Sequence, residues 1–151
     1  MMSKRNPHGD HGQSLVELVV VLGVLSLLST GLIAGMTASL KSAQFSTQKS
    51  SAIKYAQEGI EYARTLRDRG WSTFYSYKDE PHGLWCLSKA GAWTSASGTI
   101  NACNNNIDAL FTRSVAFVWN DPQMSVTTVV SWVDGGGTHT TQLVTYFTNW
   151  R

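Results

Sequence analysis

The sequence predicts an α+β protein in which one long N-terminal helix packs part of its length against a small antiparallel sheet. Three observations predict it. An apolar run without a charge extends from Leu18 to Leu40. Apolar residues then recur at intervals of three and four as far as Leu66, with no proline between Gln13 and Gly70. Three segments of period-two alternation follow, over Arg113–Trp119, Met124–Val133 and Thr138–Thr148.

The 151 residues are a length for one domain, and six Trp, five Tyr and five Phe supply apolar surface for a modest core. The formal charge is only +2, so composition makes no case for a nucleic-acid partner or a reader of polyanions.

The first twelve residues are polar, with Lys4 and Arg5 against Asp10, and Pro7 and Gly9 make them poor helix formers. The 23 residues from Leu18 to Leu40 are uncharged. As a helix they rise about 35 Å, enough for a hydrocarbon core of about 30 Å. Lys4 and Arg5 predict a cytoplasmic N-terminus, a single membrane pass and an exported remainder. The run is too long for the h-region of an ordinary cleaved signal peptide, whereas an uncleaved signal anchor carrying a surface binding domain fits it. Glu17 favours something more specific. It is the only charge between Gln13 and Leu40, and a carboxylate carried to the bilayer centre costs up to about 3 kcal/mol. A cut after Gly12 would give Gln13 a new ammonium one helical turn before Glu17, and so supply the missing partner.

The stretch Gly12-Gln13-Ser14-Leu15-Val16-Glu17, followed by the apolar run, resembles the class III signal of the type IV pilin family. The pattern is a Gly, a first mature residue, a small polar residue, two aliphatics and a Glu. The resemblance implies cleavage after Gly12 by a prepilin peptidase, N-methylation of Gln13 and pairing of Glu17 with the terminal amine of a neighbouring subunit. It also implies a ladle-shaped fold and partners that are other pilins in a helical filament, together with an assembly platform in the membrane. The assembled protein would be an extracellular pilus, and the same signal serves pseudopilins of secretion or DNA-uptake systems. The first mature residue, often Phe in this family, is Gln here, and the Pro that many pilins carry in the first helix is absent. Gly31 and Gly35 form a GxxxG pattern that lets two membrane helices approach.

Beyond Leu40 the helix becomes amphipathic. Ile53, Ala56, Ile60 and Ala63 form one apolar stripe and Tyr55, Gly59, Tyr62 and Leu66 an adjacent one, with Gly70 as the stop. A helix from about Ser14 to about Arg69 would be about 84 Å long. The expected division is therefore a leader at 1–12, a transmembrane or filament-core helix at 13–40, its amphipathic continuation at 41–70 and a β-rich head at 71–151. In the head, Trp71, Phe74, Tyr75 and Tyr77 are expected to form a lid over the helix end. Gly83–Leu87 and Ala92–Thr94 flank a turn and predict a short hairpin. Asn101–Asp108 reads as a surface loop. Asp134-Gly135-Gly136-Gly137 predicts a tight turn between the last two strands.

Cys86 and Cys103 form no CxxC or Cys/His motif, and in an exported domain they are a natural disulfide pair. No catalytic set, phosphate loop or dinucleotide fingerprint occurs, so no enzyme and no cofactor are expected. His139 in its Thr-rich strand reads as a surface residue. Asp79, Glu80 and His82, and the oxygens of Asn104–Asp108, match no known calcium loop, so no metal is expected. Lys78, Lys89, Arg113 and Arg151 read as scattered basic residues.

Overall fold

The computed structural model describes residues 11–79, 83–96, 103–104 and 106–149, and only the backbone for 11–14. The leader expected at 1–12 thus falls outside the described residues except for the backbone of His11 and Gly12. Helix α1 runs His11–Arg69, and a six-residue helix α2 follows at Trp71–Ser76. Five strands come next: β1 (Leu84–Leu87), β2 (Trp93–Ser95), β3 (Phe111–Asn120), β4 (Gln123–Asp134) and β5 (Gly137–Thr148). They form one antiparallel sheet in the order β2-β1-β3-β4-β5. The fold is the predicted α+β class. The chain divides into two compact units, Met1–Phe45 and Ser46–Arg151.

Within the first unit every described side chain from Leu15 to Phe45 is exposed. This helix is long and apolar enough to cross a membrane, which makes the chain a candidate single-pass membrane protein. Several of its hydroxyls are satisfied internally. Ser26 donates to the Leu22 carbonyl at 2.8 Å, Ser29 to Leu25 at 2.9 Å and Thr30 to Ser26 at 2.9 Å. Such back-bonding removes the cost of placing a hydroxyl in hydrocarbon.

In the second unit the 46–69 part of α1 lies on one face of the sheet. Ala52, Ala56, Ile60, Ala63 and Leu66 are buried along it, members of the two stripes expected from spacing plus Ala52 one turn earlier. The opposing face carries Val115 and Phe117 of β3, Met124, Val126 and Val130 of β4, and Phe147 of β5, all buried. The segment expected as an aromatic lid forms helix α2. It drives the buried Phe74 between Phe117 and Phe147, with ring centroids 5.6 and 5.3 Å away in edge-on geometry. Tyr77 packs on Trp85 at 4.5 Å, and the Trp85 indole donates to the Tyr77 carbonyl at 2.8 Å.

Close approach of helix to sheet depends on glycine. A Cβ on Gly59 would lie 2.6 Å from Thr128 Cγ2 on β4, so only a bare Cα fits. Gly91, in the β1–β2 turn, has φ +81 and would place a Cβ 2.5 Å from the Tyr62 ring.

Candidate assembly site

The three residues that carry the proposed processing and pairing chemistry lie at the head of α1. Gly12 and Gln13 are helical in backbone, and Glu17 follows Gln13 by four residues on the same helix. One turn rises about 6 Å over four residues, so a terminal amine on Gln13 and the Glu17 carboxylate would share a helix face. Among the described residues no basic side chain pairs with Glu17. The next charge along the helix is Lys41. Gly23, Gly31 and Gly35 meet nothing within 4 Å, so the GxxxG face is open. A helix exposed on all sides, with one carboxylate at its head, can bury its surface only in lipid or against other helices.

Cys86 on β1 and Cys103 are joined, with Cα atoms 5.4 Å apart and a sequence separation of 17. Around the bridge Leu84, Ala96 and Cys103 form a small buried cluster with Cys86 and Ala116 at its margin. This cluster covers one flank of the sheet on the side away from α1.

Two readings of the sequence need correction. Arg113 is not one of a set of scattered basic residues: its side chain is fully buried between α1, β1 and β3. Its guanidinium donates to the carbonyls of Tyr55 at 2.8 Å, Leu87 at 3.2 Å and Ser88 at 2.7 Å. It also meets the Glu58 carboxylate at 3.3 Å and lies over the Tyr62 ring. Burial pushes its pKa below the usual arginine value, and the adjacent Glu58 acts in the opposite direction. The Asn101–Asp108 loop, in turn, is more than surface. Ile107 and Cys103 are buried, and residues 101, 102 and 105 lie outside the described residues. Asn106 mimics a strand partner, accepting from the Arg113 N–H and donating to its carbonyl, both at 2.7 Å. Asp108 accepts from the N–H groups of Leu110 and Phe111 at 2.8 and 2.9 Å. These side-chain oxygens thus serve the backbone, and among the described residues no cluster of three His, Cys, Asp or Glu is placed to hold a metal ion. Glu80 and His82 lie outside the described residues.

His139 is half-buried rather than freely exposed. Its Nε2 lies 2.9 Å from Asp134 Oδ1, and its ring stacks at 5.4 Å on Trp132. The Gly136 N–H donates to the same oxygen at 2.7 Å, closing the β4–β5 turn. These donors hold the Asp134 carboxyl below the usual carboxylate value, with the Gly136 hydrogen bond as the larger cause.

Comparison of the chain with protein-family models, with curated proteins and with solved structures returns no match.

Proposed function

We propose that the chain is a structural subunit of a type IV pilus or a related filament, cut after Gly12 and polymerised through its N-terminal helix. One observation carries the reading: Glu17, which no basic side chain among the described residues pairs, stands at the head of an uncharged run, one helical turn after Gln13, where a cut would create its partner. The amine of one subunit and the carboxylate of the next would neutralise each other where water is scarce, while apolar helix surfaces stack. In such an environment association depends on packing and on satisfied polar groups. The internally bonded hydroxyls of Ser26, Ser29 and Thr30 support the same reading, because they leave Glu17 as the one charged side chain of the described span from Leu15 to Leu40. The buried core and disulfide of the second unit suit an exported head.

Mass spectrometry of the N-terminal peptide tests the proposal, on protein sheared from the cell surface and on protein left in the membrane. A terminus at Gln13, methylated or not, in the sheared fraction is expected. A chain that still begins near Met1 and remains wholly in the membrane would overturn it and leave a signal-anchored surface protein.

A further inference from the structure

A cleft of about 200 Å³ opens between the C-terminal end of α1 and the β1–β2 turn. Tyr62, Tyr77 and Trp93 give it aromatic walls, and Ala90 and Gly91 of the turn close one side with little more than backbone. The rings are held by the fold itself. Trp93 packs edge-on against Tyr77 at 5.4 Å and lies 5.7 Å from the buried Phe117. The Arg113 guanidinium lies over the Tyr62 ring at 5.7 Å.

The polar groups of the lining have a definite sense. The Tyr62 hydroxyl donates to the Lys89 carbonyl at 3.4 Å, and the Thr65 hydroxyl donates to the Glu61 carbonyl at 3.0 Å. Their protons are committed within the fold, so toward a ligand both oxygens can only accept. Arg69, the last residue of α1, is exposed and is the one charged side chain lining the cleft among the described residues. No carboxylate among the described residues forms an ion pair with it. A guanidinium can only donate.

We propose that this cleft binds a hexuronic acid, the carboxylated sugar unit of acidic polysaccharides. Arg69 takes the carboxylate, the aromatic walls take the C–H face of the ring, and Tyr62 and Thr65 accept from ring hydroxyls. Size, charge and hydrogen-bond sense each narrow the ligand. Drug-sized ligands fill about 300–1,000 Å³, so this smaller cleft takes a single ring with its substituents. The guanidinium calls for an anion, and its planar fork matches a carboxylate. A phosphate ester brings more charge than one guanidinium neutralises. An aromatic acid such as benzoate suits Arg69 and the rings but offers no donor to the two accepting oxygens. A neutral sugar offers the donors but nothing to Arg69. A sugar acid offers both, and its polarised C–H bonds meet the electron-rich ring faces. The inference does not depend on cleavage at Gly12, because every residue it uses belongs to the second unit.

The test is isothermal titration calorimetry of the full chain in detergent micelles, with empty micelles subtracted. The probes are methyl β-glucuronide, methyl β-glucoside and benzoate. The glucuronide should bind saturably and at least five-fold more tightly than either of the others. Arg69→Gln should weaken the glucuronide at least five-fold and abolish its advantage over the glucoside. Thr65→Val should weaken both sugars and leave benzoate unmoved. Both positions are exposed, so the thermal unfolding midpoint should stay that of the wild type and separate lost binding from lost fold. Absence of saturable heat with the glucuronide would overturn the proposal. So would equal affinities for the three probes, or a glucuronide affinity that Arg69→Gln leaves unchanged.

Discussion

The guanidinium of Arg113 on β3 donates to the carbonyl of Tyr55 on α1, 58 residues earlier in the chain, at 2.8 Å. The same side chain bonds the carbonyls of Leu87 and Ser88, so one residue ties helix, central strand and the β1–β2 turn together. Replacement with Leu takes the guanidinium donor from three carbonyls and removes the charge opposite Glu58. Loss of about 3 kcal/mol is expected, as for other broken buried charge networks. Glu58 is 51% exposed in its side chain, and Glu58→Gln should cost less than about 1 kcal/mol. Denaturant unfolding of the detergent-solubilised chain, followed by Trp fluorescence, compares the two. Similar costs would show that the ion pair, rather than the backbone acceptors, carries the effect.

Gly59 should resist the substitution that helix propensity favours. In an open helix Gly→Ala gains up to about 1 kcal/mol, but here the added Cβ would sit 2.6 Å from Thr128 Cγ2. Gly59→Ala is expected to destabilise by about 1–3 kcal/mol through overpacking. Thr128→Ser deletes the obstructing methyl, so the double variant should recover part of the loss as a coupling of at least about 0.5 kcal/mol. Strict additivity in the cycle would mean that the helix and sheet do not approach as described. Gly31→Ala and Gly35→Ala, which meet nothing within 4 Å, should leave the stability of the second unit unchanged.

The Cys86–Cys103 bridge closes a segment 17 residues in span. On the chain-entropy argument such a loop is worth about 3 kcal/mol. Cys86→Ser with Cys103→Ser should lower head stability by that order, and reduction of the exported wild-type chain should raise its mass by about two daltons, one hydrogen per sulfur. An unchanged mass on reduction would exclude the bridge in the exported protein.

Acid should loosen the β4–β5 hairpin tip before the core. The Asp134 carboxyl titrates below its usual value because the Gly136 N–H, and after it His139, stabilise its ionised form. A depressed folded pKa contributes stability that is full above the unfolded value, about 3.9, and is lost as pH falls through the folded value. Amide exchange at Gly136 should therefore accelerate below about pH 4, relative to the intrinsic rate. Asp134→Asn should flatten that dependence. His139→Gln should weaken it without abolishing it, since the backbone donor remains.

What the sequence disclosed was what local pattern can encode. The helix, its stop at Gly70, the hairpin around Ser88–Gly91 and the inward parity of Val115, Phe117 and Val126 all follow from spacing and turn residues. Arg113 shares the parity of Val115 and Phe117, and that was the available signal of its burial. Its partners are backbone carbonyls, which every residue has, so nothing in the sequence marks Tyr55, Leu87 or Ser88 as acceptors. The pairing of Asn106 is hidden for a similar reason, since its match to the Arg113 backbone exists only after the chain has turned back on itself. Helix α2 is too short to show a period, and its aromatics announced packing without announcing conformation. The proposed processing signal at Gly12–Glu17 is contiguous, and its proposed chemistry is a matter of one helical turn between Gln13 and Glu17.

Glu17 carries the sharpest consequence of the filament proposal. Its charge contributes nothing to the described fold, since the side chain is exposed and among the described residues no basic group pairs with it. Glu17→Ala should therefore leave membrane insertion, the disulfide and unfolding of the head unchanged. Without the carboxylate, each subunit that enters the filament would bury an unpaired terminal amine, a cost of several kcal/mol that the pairing otherwise offsets. Filament recovered by shearing is expected to fall at least about ten-fold, which corresponds to only about 1.4 kcal/mol per added subunit. Glu17→Asp, which keeps the charge on a shorter arm, should recover part of the yield. Normal yield and length from Glu17→Ala would remove the pairing role. A parallel loss of yield in Glu17→Asp would show instead that the length of the side chain, and hence the distance to the amine, is the critical quantity.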